Sequence, residues 1–373
     1  MKDRYIDYVI ETYDDKKRKM VQKLVDNPDD MGIKLELFDS IGEGELKKKS
    51  NFNEEVCSVI GRHTTDCNLN NRELWADIYA SNILYGCSIE EFFQYEFKKK
   101  NDVGRSEYLT DQERFVLFRH CYDFAQYEKI RNKWFQYNEI GEFWGRECIL
   151  CDKSTCTEPG FYIYERFVEK NPVYIYKPIR DCCGNGVVKV DTKGKDLKKL
   201  YDEHCNYVGG GIIDECISQE SSFSAFHPNS VNAVRLIALR TKHKTTHFWD
   251  PMLRIGVGNE IIDNGSASIR AMGDIGSGII YTKGRDGYGN EYMVHPDTGK
   301  TIVGFSIPEY KEMTLVADKV MNKIEQYARF VGFDMAYTNN GWTIIEINPF
   351  PQFYMQQMLV SRGQKKELLA LLN

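Results

Sequence analysis

Residues 332–350, GFDMAYTNNGWTIIEINPF, constrain this chain more tightly than any other stretch. Two alternating runs flank Thr338-Asn339-Asn340-Gly341, a turn sequence, so the stretch predicts a β-hairpin. Residues two apart in a strand share a face. Glu346 and Asn348 therefore point one way, while Ile345 and Ile347 point the other way into a core. A three-residue loop, Asn339–Asn340–Gly341, sets Thr338 opposite Trp342 and Asp334 opposite Glu346, with Gly341 supplying the positive φ that such a loop prefers. A two-residue loop would turn Asp334 to the wrong face. Two carboxylates and an amide oxygen on one face are costly without compensation. A hard cation compensates them well, because magnesium takes oxygen ligands and keeps waters and phosphates in its shell. The alternative is an ordinary polar hairpin face, against which stands the abrupt E-x-N inside an apolar strand.

Upstream, PVYIYKPIR (172–180) predicts a strand carrying Lys177, a residue that is expensive in an apolar run without an anionic partner. Gly184, Asn185 and Gly186 follow, then GVVKV (186–190), giving strand, glycine loop, strand. Glycines let backbone N–H groups approach phosphates closely. No G-K-[ST] is present and no helix comes next, so this is not a Walker loop. A surface hairpin with a snorkelling Lys177 is the other reading. KDLKKLYDEHC (195–205) predicts a helix, and GGGIIDECI (209–217), VNAVRLIAL (231–239) and PMLRIGV (251–257) predict strands. Residues 258–310 read as loops with short hairpins. EMTLVADKVMNKIEQYARFVGF predicts a helix with Val316, Val320, Ile324, Tyr327 and Val331 on one face.

Residues 1–130 read as a mostly helical region, a possible substrate-recognition module. Thr110-Asp111-Gln112-Glu113 there has the form of a capping box. The chain has 373 residues and a formal net charge of -6, which offers no global basic surface for nucleic acid. Its start carries charge instead of an apolar run, and no stretch of about 18 apolar residues occurs, so neither a secretory signal nor a membrane span is expected and a cytoplasmic location is. The 11 cysteines are expected to be reduced. Cys148 and Cys151 form a C-x-x-C, with Cys156, Cys182 and Cys183 beyond. Thiolates at that spacing can share zinc, but no second pair completes the set, so buried or loop thiols are the other reading.

The order of lysine, K-P with a glycine loop, acidic hinge strand and closing D…E-x-N resembles the ATP-grasp superfamily, that of D-alanine–D-alanine ligase. More narrowly, about Tyr174 to Phe350 resembles the sugar-transfer-associated ATP-grasp family, through YKP at 176–178, HPNSVNAVRLIAL at 227–239, LRIGVG at 253–258, IIDNG at 261–265, HPDTG at 295–299, IPEY at 307–310 and the hairpin. The resemblance implies an α+β fold, with two α+β subdomains clasping ATP: a lid at 131–213 and a catalytic subdomain at 214–373. It implies ATP and Mg2+ as cofactors, with Asp334, Glu346 and Asn348 as metal ligands and Lys133 and Lys177 as nucleotide lysines. Gly184, Asn185 and Gly186 become the phosphate loop. The backbone of Asp214, Glu215 and Cys216 becomes the adenine hinge, and Gln219 or Glu220 reaches the ribose. The D-alanine ligase pattern has an arginine two residues before the aspartate, where this chain has Gly332. Another cation must then serve the transferring phosphate. Arg235 and Arg254 are the candidates, with Arg270 and His295 as loop candidates behind them; an ion pair on the sheet is the rival reading. The implied activity is a carboxylate–amine ligase working through an acyl phosphate, on a small-molecule or glycan acid in surface polysaccharide synthesis. A phosphotransferase acting on a hydroxyl and a non-catalytic nucleotide-binding protein are the alternatives.

Overall fold

The computed structural model describes residues 4–48, 71–180, 186–258 and 268–372. It divides into two compact units, Met1–His120 with Gln352–Asn373, and Cys121–Pro351. This differs from the expected boundary at 130, and the C-terminal helices Tyr354–Val360 and Lys365–Leu372 belong to the first unit.

The described part of the first unit is helical. Helix Arg72–Tyr85 is buried along nearly its whole length, so its apolar residues surround it instead of forming a stripe. Asn71 caps its start by accepting from Leu74 N, and Gly86, at φ 66°, ends it. Asp77, in the middle of this helix, receives two bonds of 2.7 Å from Arg105 and one of 2.7 Å from Lys34. The expected capping box is half formed. Thr110 Oγ1 accepts from Glu113 N at 3.2 Å, but the Glu113 carboxylate lies 2.6 Å from Lys365 Nζ. A complete box occurs at Ser88 and Glu91.

The second unit holds two antiparallel sheets. The strands are β1 (Cys148–Cys151), β2 (Val173–Pro178), β3 (Val188–Asp191), β4 (Gly211–Glu215), β5 (Ala233–Arg240), β6 (Thr246–Phe248), β7 (Met252–Ile255), β8 (Ile269–Met272), β9 (Gly284–Arg285), β10 (Glu291–Tyr292), β11 (Phe330–Thr338) and β12 (Gly341–Pro349). The smaller sheet runs β1-β4-β2-β3, and helices Glu158–Lys170 and Leu197–Cys205 supply Tyr164, Phe167, Tyr201 and Cys205 to its core. The larger runs β10-β9-β8-β7-β5-β11-β12, with β6 beside β5. Of residues 258–310, expected to be loops with short hairpins, the described part from 268 on adds three strands to this sheet, and β9 and β10 pair as one such hairpin. Helix Tyr310–Ile324 buries Met313, Ala317, Val320, Met321 and Ile324. It is shorter than expected: Val331 lies in β11, and the buried face runs through Ala317 and Met321 instead of Val316 and Tyr327. Among the described residues, no helix is long and apolar enough to cross a membrane.

Candidate active site

The hairpin of β11 and β12 brings Asp334 opposite Glu346 and Gly332 opposite Asn348. The route differs from the expected one. Thr338 pairs with Gly341 and Tyr337 with Trp342, so the loop is the two residues Asn339 and Asn340. The register then shifts between Asp334 and Met335, because Met335 pairs with Ile344. Ile345 is the extra residue of a β-bulge, and it restores the pairing that a two-residue loop alone would lose. Gly341 takes the expected positive φ, 96°. The bulge also changes the core: Ile344 and Ile347 are fully buried, while Ile345 is only partly so.

Asp334 sits between two arginines. Arg235 stands directly across on β5 and grips it in a bidentate pair, Nε on Oδ1 and Nη2 on Oδ2 at 2.9 Å. Arg254 of β7 places Nη1 3.3 Å from Oδ1, and Asn348 Nδ2 donates to Oδ2 at 3.0 Å. Burial alone would raise the Asp334 carboxyl; Arg235 and then Arg254 outweigh it and hold it below its ordinary value. Lys133, buried at the start of helix Lys133–Trp144, lies 3.1 Å from Glu346 Oε1. Gln136, one turn on, is almost fully buried. Its amide donates to Ile347 O at 2.8 Å and accepts from Ile347 N at 2.9 Å. That clamps β12 between Glu346 and Asn348.

A second cluster lies on the smaller sheet. Lys177 Nζ is 2.5 Å from Asp214 Oδ2, Arg146 Nη2 is 2.8 Å from the same oxygen, and Trp144 Nε1 donates to Oδ1 at 3.0 Å. Burial pushes the Asp214 carboxyl up, and Arg146 and Lys177 reverse the shift. Arg146 also donates to Ile344 O at 2.8 Å, so one guanidinium ties the Lys177–Asp214 pair to the bulge of the carboxylate hairpin. Arg146 and Gln136 were missed in the sequence. Each acts on chain about 200 residues away, and no local spacing marks it. Asp214 and Glu215, expected with Cys216 to form the adenine hinge, have their backbones inside the sheet, paired with Ile175 and Tyr174, and Cys216 alone lies beyond β4. The Gln219 amide donates to Asn232 O at 2.6 Å and accepts from Asn232 N at 2.8 Å, and Glu220 caps helix Ser221–Ser224 through Ser222 N. Both ribose candidates are therefore engaged within the chain. Gly186 has φ 71°, and a Cβ there would lie 2.7 Å from Pro178. Gly184 and Asn185 lie outside the described residues, as do Cys182, Cys183 and the IIDNG stretch.

The two His-Pro motifs form one clamp. His295 Nε2 meets Gly256 O and His227 Nε2 meets Gly258 O, each at 2.8 Å. His295 Nδ1 accepts from Asp297 N at 3.3 Å, so its proton is on Nε2. His295, expected as a loop candidate near phosphate, is instead fully buried against the chain that leaves β7 just after Arg254. Arg270, the other loop candidate, lies in β8.

The thiols do not gather as expected for zinc. Cys148 and Cys151 are three apart on one strand, which turns them to opposite faces. Cys151 and Cys205 are instead buried in the core of the smaller sheet, with Cys156 packed against it. Among the described residues, no group of three or more His, Cys, Asp or Glu side chains forms a ready-made metal site. Asp334, Glu346 and Asn348 supply two carboxylates and an amide, all oxygen donors of the hard type that magnesium takes together with water and phosphate. The donor set therefore fits magnesium and does not fit a thiolate metal.

No curated protein matches this sequence. The family described as sugar-transfer associated ATP-grasp matches residues 163–371. Among solved structures, the chain is similar to D-alanyl-alanine synthetase A from Vibrio cholerae O1 biovar eltor str. N16961, with TM-score 0.44 and 11% identity, covering 68% of this chain and 67% of that one. It is similar to the ATP-grasp ligase PsnB complexed with minimal precursor, with TM-score 0.40 and 12% identity over 66% of this chain and 62% of that one. It also resembles N5-carboxyaminoimidazole synthetase from Staphylococcus aureus complexed with ADP, with TM-score 0.40 and 13% identity over 66% and 52%. The chain spans about half to two thirds of these proteins' lengths.

Proposed function

Because this chain belongs to the sugar-transfer-associated ATP-grasp family, we propose that it uses ATP to join a carboxylate to an amine. The observation that carries this reading is the row of Asp334, Glu346 and Asn348 on one sheet face, with Lys133, Arg235 and Arg254 against it. Asp334, Glu346 and Asn348 would hold Mg2+. Bound there with ATP, the ion would offset phosphate charge as it moves in phosphoryl transfer.

The chain's own residues divide the remaining work. Cys216 offers its backbone to adenine, and Lys133 and Lys177 take the nucleotide's charge. Gly186 permits close backbone approach to phosphate. Arg235 and Arg254 leave Asp334 as MgATP enters and turn to the transferring phosphate and the substrate carboxylate. The acid's carboxylate oxygen attacks the γ-phosphorus, giving an acyl phosphate and ADP. The amine nitrogen then attacks the acyl carbon, forming the amide and releasing phosphate. Fixed dipoles and charges at such a site contribute more than they would in water. The family's description favours an acid attached to a sugar, such as a uronic acid in a surface polysaccharide, handled in the cytoplasm where ATP is at hand.

The test is an assay of the full chain with MgATP, uronic acids and amino acids, following ADP, phosphate and product mass. Phosphate release that needs both acid and amine supports the ligase. A phosphorylated product without amine would replace it with a phosphotransferase, and nucleotide binding with no turnover would replace it with a non-catalytic binder.

A further inference from the structure

The larger sheet carries a second feature on the face that holds Asp334. Arg254 of β7 pairs in register with Arg270 of β8, and Arg270 with Arg285 of β9. Directly opposite residues in adjacent strands share a face, so the three guanidiniums form one row across three strands. The row starts at the site, because Arg254 reaches Asp334 at 3.3 Å. It ends beside Glu291 of β10, which is opposite Arg285 and already paired with Lys283 at 2.7 Å. Arg270 Nη1 donates to Ser268 O at 3.2 Å.

Three like charges side by side in register cost stability in a sheet. They also concentrate positive potential along one path, in a chain whose net charge is -6. Arg285 adds an independent observation: its Nε is buried and has no hydrogen-bond partner among the described residues. A buried donor of this kind calls for an acceptor.

We propose that the row Arg254–Arg270–Arg285 seats the acid substrate, and that this substrate carries at least two anionic groups. One carboxylate lies at the Arg235 and Arg254 end, where it is activated. The second, a carboxylate or a phosphate, lies on Arg270 and Arg285. Neighbouring strands are about 4.8 Å apart, so the two anionic groups are separated by roughly 5–10 Å. The proposal rests on the ligase reading of the site, and its test is arranged so that the two fail separately.

Isothermal titration of the full chain with MgAMP-PNP tests the nucleotide site first. Linear dicarboxylates from succinate to suberate are then titrated against monocarboxylates of equal length, with and without MgAMP-PNP. The expected result is at least fivefold tighter binding of one or more dicarboxylates. R270Q and R285Q are expected to erase that preference while leaving MgAMP-PNP affinity within twofold, and R285K to keep part of it. Melting curves of each variant show that it is folded, and the wild-type comparison needs no variant at all. A wild-type chain with no dicarboxylate preference overturns the proposal, as does a preference that survives both glutamine variants. Failure to bind MgAMP-PNP overturns the ligase reading instead, while the nucleotide-free titration still decides the arginine row.

Discussion

Two buried aspartates, one in each unit, show how the same ion-pair chemistry can serve different ends. Asp77 in the helical unit meets Arg105 and Lys34; Asp334 in the sheet unit meets Arg235 and Arg254. Their side chains are 8% and 10% exposed, and in both burial raises the carboxyl while two cations bring it below its ordinary value. The surroundings differ. Arg105, which holds Asp77, has its other bonds to Ser81 and to the carbonyls of Phe97 and Lys100, so that network closes on the fold. Asp334 shares its sheet face with Glu346 and Asn348, and Glu346 is 29% exposed. A second, partly exposed carboxylate on the same face is what a structural ion pair does not need. The pair alone is therefore a poor marker of function, and the extra oxygens are the informative part.

The largest effect expected from this contrast is at Glu346. Glu346→Gln keeps shape and removes a metal-type charge, so turnover should fall on the order of a hundredfold or more, as when a charge-stabilising group is removed from an active site. The melting temperature should shift little, because Lys133 keeps an oxygen partner. Kinetics and a thermal melt on one preparation check both; an undiminished rate would refute the metal assignment.

Asp77→Ala should show the reverse pattern. It strands Arg105 and Lys34 in the core, which typically costs about 3–5 kcal/mol. Denaturant titration reads that loss, while MgATP affinity of the folded fraction stays the same. Asp334→Asn should cost less stability than Asp77→Ala, since asparagine keeps the contact to Asn348 and relieves repulsion from Glu346 across the ladder. A larger loss at Asp334 would mean that its cluster is chiefly structural.

The pH axis separates another pair. Asp77 is depressed, so its contribution is present above the unfolded carboxylate value and is lost as pH falls through its lower folded value. Glu113 is the opposite case: burial raises it to about 7 against the pull of Lys365. Its folded-state proton stabilises fully below the unfolded value near 4.5, and that contribution is lost as pH rises through about 7. Glu113→Gln should therefore flatten the decline in stability between those values, by a few kcal/mol at most. Urea midpoints across that range check it, and an unchanged slope would show that Lys365 keeps Glu113 ionised.

How far the sequence could be read follows from the range of each interaction. The E-x-N face was legible because strand periodicity is local. The bulge was not, although the adjacent Ile344 and Ile345 break the alternation that the three-residue loop assumed. Lys177's need for an anion was legible from its apolar neighbours, but its partner Asp214 is 37 residues away. Gln136 and Arg146 left no trace, since a lone polar residue acquires its role only when distant backbone arrives. Beyond 268 the presence of short hairpins was legible, but not which residues form them, because β9 and β10 are two residues each, too short for alternation to register.

The smallest expected effect concerns the residue that departs from the D-alanine ligase pattern. Gly332 pairs with Asn348 and lies against the stem of Arg235. A Cβ at 332 would stand 3.1 Å from Arg235 Cδ and 3.1 Å from Pro351 Cβ. The arginine stem can move, whereas the proline has little freedom, so the added methyl should push Arg235 out of the place from which it turns to the transferring phosphate. Gly332→Ala would then weaken MgATP binding severalfold and cost about 1 kcal/mol, at the low end for overpacking. Arg235→Lys should show the same direction, because lysine cannot offer the phosphate a two-pronged guanidinium. The cycle combining both substitutions is the discriminating measurement. If Gly332 acts by making room for Arg235, the second substitution adds little to the first. Fully additive losses would separate Gly332 from Arg235 and leave Arg254 as the cation that serves the phosphate.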